Sequence, residues 1–130
     1  MEVVADASTL LAVTLDEPER PAILDATVGV TLIAPEVLPW EVGNALSAMS
    51  KRGRLERKLV SPAWEAVQRI PVRLVPVEVE ASLTLALELG IYAYDAYYLQ
   101  CAATYRRPLI TLDRQMRRIA ASLGISCLIQ

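Results

Sequence analysis

Short apolar runs alternate along the chain with stretches in which apolar residues recur at helical spacing. The apolar runs are rich in β-branched residues, which is typical of strands, and they span residues 2–5, 30–34, 72–75, 108–112 and 125–129. Helical spacing predicts helices from about residue 8, over 21–29, 38–52, 56–69 and 78–89, around residue 95 to about 106, and over 114–123. Because the strands are apolar on both faces, this alternation predicts an α/β fold, a three-layer α/β/α sandwich with a mainly parallel central sheet.

The length and composition predict one domain over residues 1–130. Of the 130 residues, 54% are hydrophobic and 22% are charged, so the chain can bury a sizeable core. No apolar run approaches the roughly 20 residues of a membrane-spanning helix, so no membrane association is expected. The N-terminal residues lack the basic leader and cleavage site of a signal peptide, and a cytoplasmic protein is therefore expected.

The absence of histidine narrows the chemistry that the chain can perform. It excludes Ser-His-Asp triads, Cys-His pairs and His-ligated zinc in their usual forms. Cys101 and Cys127 lie far apart without CxxC spacing, so they are expected to be core residues and not a zinc or redox pair. If the protein is a hydrolase, carboxylates must carry the reaction. Carboxylates and water favour hard cations, so the expected cofactor is Mg²⁺ or Mn²⁺.

Four acidic residues stand where this fold would bring them together. Asp6 directly follows the first predicted strand, and Asp113 follows the fourth in the same way. Glu41 and Asp95 each stand early in a predicted helix, within otherwise apolar sequence. Ligands of such sheets bind outside the carboxyl ends of the strands, and right-handed crossovers allow the helix starts to lie over the same edge. We therefore expect the four carboxylates to converge there.

Each acid also has a structural interpretation that needs no ligand. Asp6 and Asp113 precede helices, where aspartate is a favoured N-cap that contributes about 1 kcal/mol. Glu41 could simply pair with an arginine on a solvated helix face. Asp95 is harder to explain in this way, because an unpaired carboxylate within the apolar sequence AYDAYYLQCAA destabilises the fold or shifts its pKa.

Four segments in this order carry a resemblance that spans nearly the whole chain: VVADAS, PWEVGNAL, YDAYYLQCA and LITLD. Together they resemble the PIN domain family, and most closely the VapC-type toxins of bacterial and archaeal toxin–antitoxin pairs. The resemblance implies a single PIN-like domain with an acidic quartet that corresponds to Asp6, Glu41, Asp95 and Asp113. It also implies a set of small polar residues that assist the quartet, namely Ser8, Asn44 and Thr111.

The activity that the resemblance implies is metal-dependent endoribonuclease activity, as the toxin of a type II toxin–antitoxin pair. Clustered carboxylates repel one another unless a divalent cation neutralises them. We therefore expect Asp6, Asp95 and Asp113 to bind Mg²⁺ or Mn²⁺, with Glu41 as a further ligand or as the base. Metal-activated water would hydrolyse RNA phosphodiester bonds and leave 5′-phosphate and 3′-hydroxyl ends.

The implied partners are RNA, a cognate antitoxin protein and a second copy of the chain in a homodimer. The high apolar content and a helical hairpin over 38–69 that carries Trp40 and Trp64 indicate more apolar surface than a monomer covers. In the family, such surface serves homodimerisation and antitoxin binding. Trp64 is equally well explained as a core residue.

The formal net charge of −2 argues at first against nucleic-acid binding. The charge of the remaining chain is positive, however, once the four predicted site acids are set apart. Possible RNA contacts are the basic residues Lys51, Arg52, Arg54, Arg114, Arg117 and Arg118. For residues 51–58 taken alone, a solvated helical surface is the simpler interpretation.

Three other functions fit parts of the pattern. A phosphoacceptor receiver domain normally needs a lysine after a late strand, and the only lysines here are Lys51 and Lys58. A dehalogenase-type phosphatase would need DxD after the first strand, whereas this chain has Asp6-Ala7-Ser8. A non-catalytic PIN-like module that binds metal and partners stays open as the alternative to a nuclease.

Overall fold

A sheet of four short parallel strands forms the centre of the computed structural model, which describes residues 1–130. The strands are β1 (Glu2–Ala5), β2 (Thr31–Pro35), β3 (Val72–Val75) and β4 (Leu109–Ile110). They lie in the order β3-β2-β1-β4, and every neighbouring pair is parallel. The predicted α/β fold with a parallel central sheet is confirmed.

Seven α-helices flank the sheet. They are α1 (Ala7–Thr14), α2 (Arg20–Ala26), α3 (Leu38–Lys51), α4 (Val60–Gln68), α5 (Val79–Leu89), α6 (Ala93–Tyr105) and α7 (Arg114–Ser122). The α5 helix ends at Gly90, whose φ of 66° lies in the left-handed region that glycine adopts without strain. None of the helices is both long enough and apolar enough to cross a membrane.

The central strand β1 is apolar on both faces because the sheet separates two apolar cores. In β1, Val4 belongs to the larger core, whereas Val3 and Ala5 belong to the smaller one, as the alternation of side chains along a strand requires. Side chains from α3, α4, α6 and α7 fill the larger core. The smaller core is covered by Ile23 of α2 and by apolar residues near the C-terminus. Helices on both faces leave the strand ends as the accessible edges of the sheet.

The strand order creates a switch point between β1 and β4. After β1 the chain crosses to β2 and β3 on one side, whereas after β4 it continues on the other side, where Cys127 forms a bridge to Leu109. Side chains that follow β1 and β4 therefore line the crevice at the carboxyl edge, where open α/β sheets bind their ligands.

The strand predicted at residues 125–129 is wrong. This segment forms only one isolated parallel bridge, between Cys127 and Leu109. The strand predicted over 108–112 is also shorter than expected, because β4 contains two residues. A two-residue edge strand offers too little backbone for a fifth strand to pair along.

Two predicted helices have different bounds in the structure. The helix predicted over 56–69 begins as a 3-10 turn (Arg57–Leu59) and becomes α4 only at Val60. Pro62 explains the late start, because it has no N–H to donate to the carbonyl group four residues earlier. The helix predicted over 21–29 ends at Ala26, three residues before Gly29, whose φ is 71°.

Candidate active site

Asp6 is the most buried of the predicted site acids, and hydroxyl groups hold it in place. It follows β1, is 5% exposed and caps the N-terminus of α1. Its Oδ1 atom accepts hydrogen bonds from the Ser8 hydroxyl at 2.7 Å and from the Thr9 backbone N–H at 3.1 Å. Its Oδ2 atom accepts a hydrogen bond from the buried Thr111 hydroxyl. These donors fix the orientation of the carboxylate and leave acceptor capacity on Oδ2.

The same hydroxyls tie the end of β4 to the end of β1. The Asp113 backbone N–H donates to Thr111 Oγ1 at 3.1 Å, and the Leu112 backbone N–H donates to Ser8 Oγ at 3.2 Å. Asp113 in turn caps α7, because its Oδ1 atom accepts from the Met116 backbone N–H at 3.1 Å. The N-cap interpretation thus applies to both aspartates that follow strands. In each case the capping hydrogen bond from the backbone N–H uses only the Oδ1 atom.

Glu41 and Asp95 reach the cluster from the beginnings of two helices. Glu41 lies in the first turn of α3 and Asp95 in the first turn of α6. A helix N-terminus carries partial positive charge, which lowers the pKa of a nearby carboxyl group. Both pKa values are nevertheless raised. Burial is the largest cause in both cases, and neighbouring negative charge acts in the same direction.

Charges of neighbouring carboxylates contribute to the raised pKa values. The pKa of Glu41 rises from 4.5 to about 7, mainly through burial and then through the charges of Asp6 and Asp95. Burial raises the pKa of Asp95, and the charges of Asp113 and Asp6 act in the same direction. Burial also raises the pKa of Asp6, while its hydrogen bonds act in the opposite direction. The four carboxylates thus form one electrostatically coupled cluster, with exposed Asp113 at its open side.

The donor atoms of the cluster fit a hard divalent cation. They are carboxylate and hydroxyl oxygens, the ligands that Mg²⁺ and Mn²⁺ prefer. No three acidic side chains form a ready set of direct ligands to one ion. Mg²⁺ does not need such a set, because it usually keeps several waters and is bound through one or two carboxylates. The residues present therefore fit an ion that is held partly through water.

Thr9 belongs to the site, although it is not among the residues predicted from the sequence. Its hydroxyl oxygen lies 3.0 Å from Asp6 Oδ1 and 3.0 Å from the Ile110 carbonyl oxygen. One buried hydroxyl group therefore bridges the ends of β1 and β4. Its spacing from Asp6 could have identified it. A residue three positions after an N-cap residue lies in the first helical turn, where it can contact the capping side chain.

Tyr98 is the second residue that sequence reasoning missed. It stands three residues after Asp95 on α6 and is 1% exposed. Its pKa is raised by burial and then by the charges of Glu41 and Asp6. The hydroxyl has no partner at hydrogen-bonding geometry, yet it is close enough to Glu41 to lower the pKa of that carboxyl group. Residues three apart on a helix share a face, so the spacing of Tyr98 from Asp95 could have identified it.

The predicted small polar residues divide into two groups. Ser8 and Thr111 donate directly to Asp6. Asn44 is exposed on α3 and makes none of the hydrogen bonds that hold Asp6. The structure therefore connects two of the three to the carboxylate cluster.

The predicted basic residues divide in a similar way. Arg114 and Arg118 are exposed on α7, which begins directly after Asp113. Arg117 is half-buried, and its Nη1 atom donates to the Thr111 carbonyl oxygen at 3.3 Å. Lys51, Arg52 and Arg54 are also exposed, but they lie at or just after the other end of α3. The rise of an α-helix places that end about 15 Å from Glu41.

A depression of about 370 Å³ opens beside the acidic cluster. It is lined by Gly90, Ile91, Tyr92, Asp95 and Gln115. A larger depression of about 580 Å³ lies at the other edge of the sheet, near the ends of α6 and α7, and no acidic residue lines it. Because the candidate chemistry belongs to the carboxylates, the smaller depression is the relevant one.

Comparisons with known proteins agree with this architecture. The model of the PIN domain family matches residues 3–122. Ribonuclease VapC3 from Pyrobaculum aerophilum is 30% identical over 122 residues, and the match covers 89% of this chain and 92% of that protein.

Two solved structures share the fold. The crystal structure of PAE2754 from Pyrobaculum aerophilum has a TM-score of 0.70 and 24% identity, and the match covers 98% of this chain and 84% of that one. The crystal structure of VapBC2 from Rickettsia felis, bound to a DNA fragment from their promoter, has a TM-score of 0.66 and 12% identity. That match covers 98% of this chain and 97% of the other. At these identities the similarity shows the fold alone.

Proposed function

Because the chain belongs to the PIN domain family and to its VapC group, we propose that it is a metal-dependent endoribonuclease and the toxin of a toxin–antitoxin pair. The observation that carries this proposal is the coupled cluster of Asp6, Glu41, Asp95 and Asp113 at the switch point of the sheet. A fold gains no stability by bringing repelling carboxylates together, so the arrangement indicates a function that needs them.

The cofactor in this proposal is Mg²⁺ or Mn²⁺, which Asp6, Asp95 and Asp113 would hold partly through water. Such an ion supplies charge neutralisation, a nucleophile from water at neutral pH, and stabilisation of the leaving oxygen. The hydroxyl groups of Ser8, Thr9 and Thr111 keep the Asp6 carboxylate in one orientation while the substrate binds.

Glu41 is the proposed base for the attacking water. In the metal-free protein, burial and the charges of Asp6 and Asp95 raise its pKa to about 7, so its carboxylate is a stronger base than that of an ordinary glutamate. Tyr98 lies beside it and offers a hydroxyl group that can donate to the carboxylate. With no histidine in the chain, the 3′-oxygen that leaves takes its proton from water. The products then carry 5′-phosphate and 3′-hydroxyl ends.

The RNA backbone is proposed to contact the basic residues of α7. Arg114 and Arg118 are exposed next to Asp113, which favours them as phosphate contacts close to the reacting bond. Lys51, Arg52 and Arg54 are proposed to reach phosphates further along a bound strand, because they lie at the far end of α3. RNA cleavage of this kind would take place in the cytoplasm.

Cleavage of a labelled RNA pool tests the proposed activity. We expect cutting with Mg²⁺ or Mn²⁺, none with EDTA, and recovery when the ion is added back. Mapping of the fragments should find 5′-phosphate and 3′-hydroxyl ends. If the folded protein binds the ion but cuts nothing in a broad RNA pool, the nuclease proposal is wrong and the non-catalytic module is the better interpretation.

A cognate antitoxin is the proposed protein partner. The structural neighbour from Rickettsia felis is a VapBC2 assembly, and this chain shares its fold over 98% of its length. Expression of the chain alone in a bacterium is expected to arrest growth, and co-expression of the antitoxin is expected to restore it. Normal growth at a confirmed level of active, folded protein would contradict the toxin assignment.

A second copy of the chain is proposed to cover the outer face of α5. Val79, Leu83 and Leu87 recur every fourth residue on this helix and are 56%, 45% and 84% exposed. Trp40, which is 73% exposed, lines a depression together with Val79 and extends the same surface. Trp64, by contrast, packs against the larger core.

Light scattering after size-exclusion chromatography tests the homodimer. We expect the wild type to have twice the mass of the chain and Leu83→Glu to have the mass of the monomer, because a charge would be buried in the interface. Leu24→Glu is the matched control, since Leu24 is 41% exposed on α2 and outside this surface. A monomeric wild type, or equal disruption by both variants, would contradict the proposed surface.

A further inference from the structure

The depression beside Asp95 contains an aromatic side chain that the proposed chemistry does not use. Tyr92 lines it together with Asp95, and Gln115 of α7 lines it as well. Tyr92 is 83% exposed, whereas Tyr94 packs its ring edge against Tyr97 at a centroid distance of 6.2 Å. Tyr92 therefore presents an exposed ring in the same depression as Asp95.

Packing and helix stability do not account for a tyrosine at this position. Tyr92 is the N-cap residue of α6, and its side chain makes no capping hydrogen bond. Serine, threonine, aspartate and asparagine are the favoured residues there, because their side-chain oxygens accept from the backbone N–H groups of the first turn. The chain thus has an exposed aromatic residue where a small polar one would stabilise the helix.

We infer that Tyr92 is a substrate-binding residue on which an unpaired nucleobase next to the cleaved phosphodiester stacks. This inference rests on the proposed ribonuclease function. Proteins that bind single-stranded RNA commonly stack bases on exposed aromatic rings, because every base has a π-face. The depression of about 370 Å³ has room for a base. The Gln115 amide offers a donor and an acceptor to the edge of that base.

The position of Tyr92 also implies that the site binds single-stranded RNA and not duplex RNA. A base inside a duplex has both faces covered by its neighbours and cannot stack on a protein ring without leaving the helix. The site would therefore take single strands and loops and reject continuous duplexes. The ring would set the distance between the bound base and the carboxylates, since Tyr92 lies three residues before Asp95 at the start of the same helix.

Replacing Tyr92 by serine tests the effect of the ring on RNA binding without weakening the fold. Tyr92→Ser removes the ring and supplies a better N-cap, so the melting temperature should stay equal or rise. Its affinity for a labelled 12-nucleotide single-stranded RNA should fall about 5- to 150-fold, the range expected for one lost base–aromatic stack. Fluorescence anisotropy with Ca²⁺ in place of Mg²⁺ measures this affinity. In Mg²⁺ the same variant should show a raised KM with a smaller change in kcat.

Two further variants complete the test. Tyr92→Phe keeps the ring and should retain most of the affinity. Val28→Ser removes an exposed apolar side chain, 80% exposed, before β2 at the other edge of the sheet, and should leave binding unchanged. Equal affinity of Tyr92→Ser and wild type, or an equal loss for single-stranded and duplex RNA, would overturn the inference even if the wild type cleaves RNA. A wild type that shows this Tyr92-dependent binding but no cleavage would support the inference and refute the nuclease proposal.

Discussion

Asp95→Asn is expected to lower RNA cleavage at least about 100-fold, the size of loss seen when one group that stabilises the transition state is removed. The same substitution is expected to raise the melting temperature of the metal-free protein. Both effects follow from the surroundings of Asp95, whose pKa is raised by burial and by the charges of Asp113 and Asp6. Without metal, the neutral amide relieves a repulsion. With metal, it removes a negatively charged ligand.

Opposite changes in activity and stability distinguish a functional acid from a structural one. Loss of a structural carboxylate would lower both together, because its hydrogen bonds or ion pairs hold the fold. Asp25→Asn is the matched control, since Asp25 is exposed on α2, away from the cluster. It should change neither quantity. Full cleavage by Asp95→Asn would remove this residue from the catalytic assignment, and a lower melting temperature would contradict the electrostatic account of the cluster.

The metal-free protein is expected to lose stability as the pH rises from about 4.5 to about 7. Glu41 has a pKa of about 7 in the folded protein and an ordinary value of 4.5, so the folded state binds more protons than the unfolded chain in this window. The free energy of unfolding therefore falls with rising pH and levels off above about 7. The expected change is about 1–3 kcal/mol, with solvent screening of the half-buried group favouring the lower part of the range. The chain has no histidine that would titrate in the same window.

Divalent metal is expected to reverse this loss. At pH 8 a concentration of Mg²⁺ about 100-fold above its Kd should add about 2.7 kcal/mol to the free energy of unfolding. At pH 5 the gain should be much smaller, because protonated carboxyl groups bind the ion poorly. Urea unfolding at pH 5 and pH 8, each with Mg²⁺ and with EDTA, measures the free energy of unfolding under these four conditions.

Glu41→Gln is the variant that checks the origin of the pH effect. It should flatten the dependence between pH 5 and 8 and make the metal-free protein more stable at pH 8 than the wild type. A wild type whose stability is equal at both pH values, or a Glu41→Gln variant that keeps the wild-type slope, would show that Glu41 does not carry the effect.

The placement of the acids was predictable because it depends on two periodicities that are visible in the sequence. Asp6 and Asp113 follow apolar runs that form parallel strands, and parallel strands end at one edge. The remoteness of Lys51 from Glu41 could also have been judged beforehand, since ten residues of helix span about 15 Å.

The hydroxyl groups around Asp6 could not be predicted in the same way. Thr9 and Thr111 contact one carboxylate only because β1 and β4 lie side by side, and no local pattern gives that pairing. The false strand at residues 125–129 has the same cause. Its apolar run is like that of β1, but strand formation depends on the length of the neighbour, and β4 has only two residues.

The bond between Thr111 and Asp6 joins residues that lie 105 positions apart. Protein synthesis proceeds from the N-terminus, so Asp6 leaves the ribosome long before Thr111 and Asp113 are made. The acidic cluster is therefore incomplete on a nascent chain. A fragment that ends before residue 111 lacks Thr111 and Asp113 and therefore lacks a complete site. The order of translation thus delays completion of the acidic cluster until roughly the last sixth of the chain is being made.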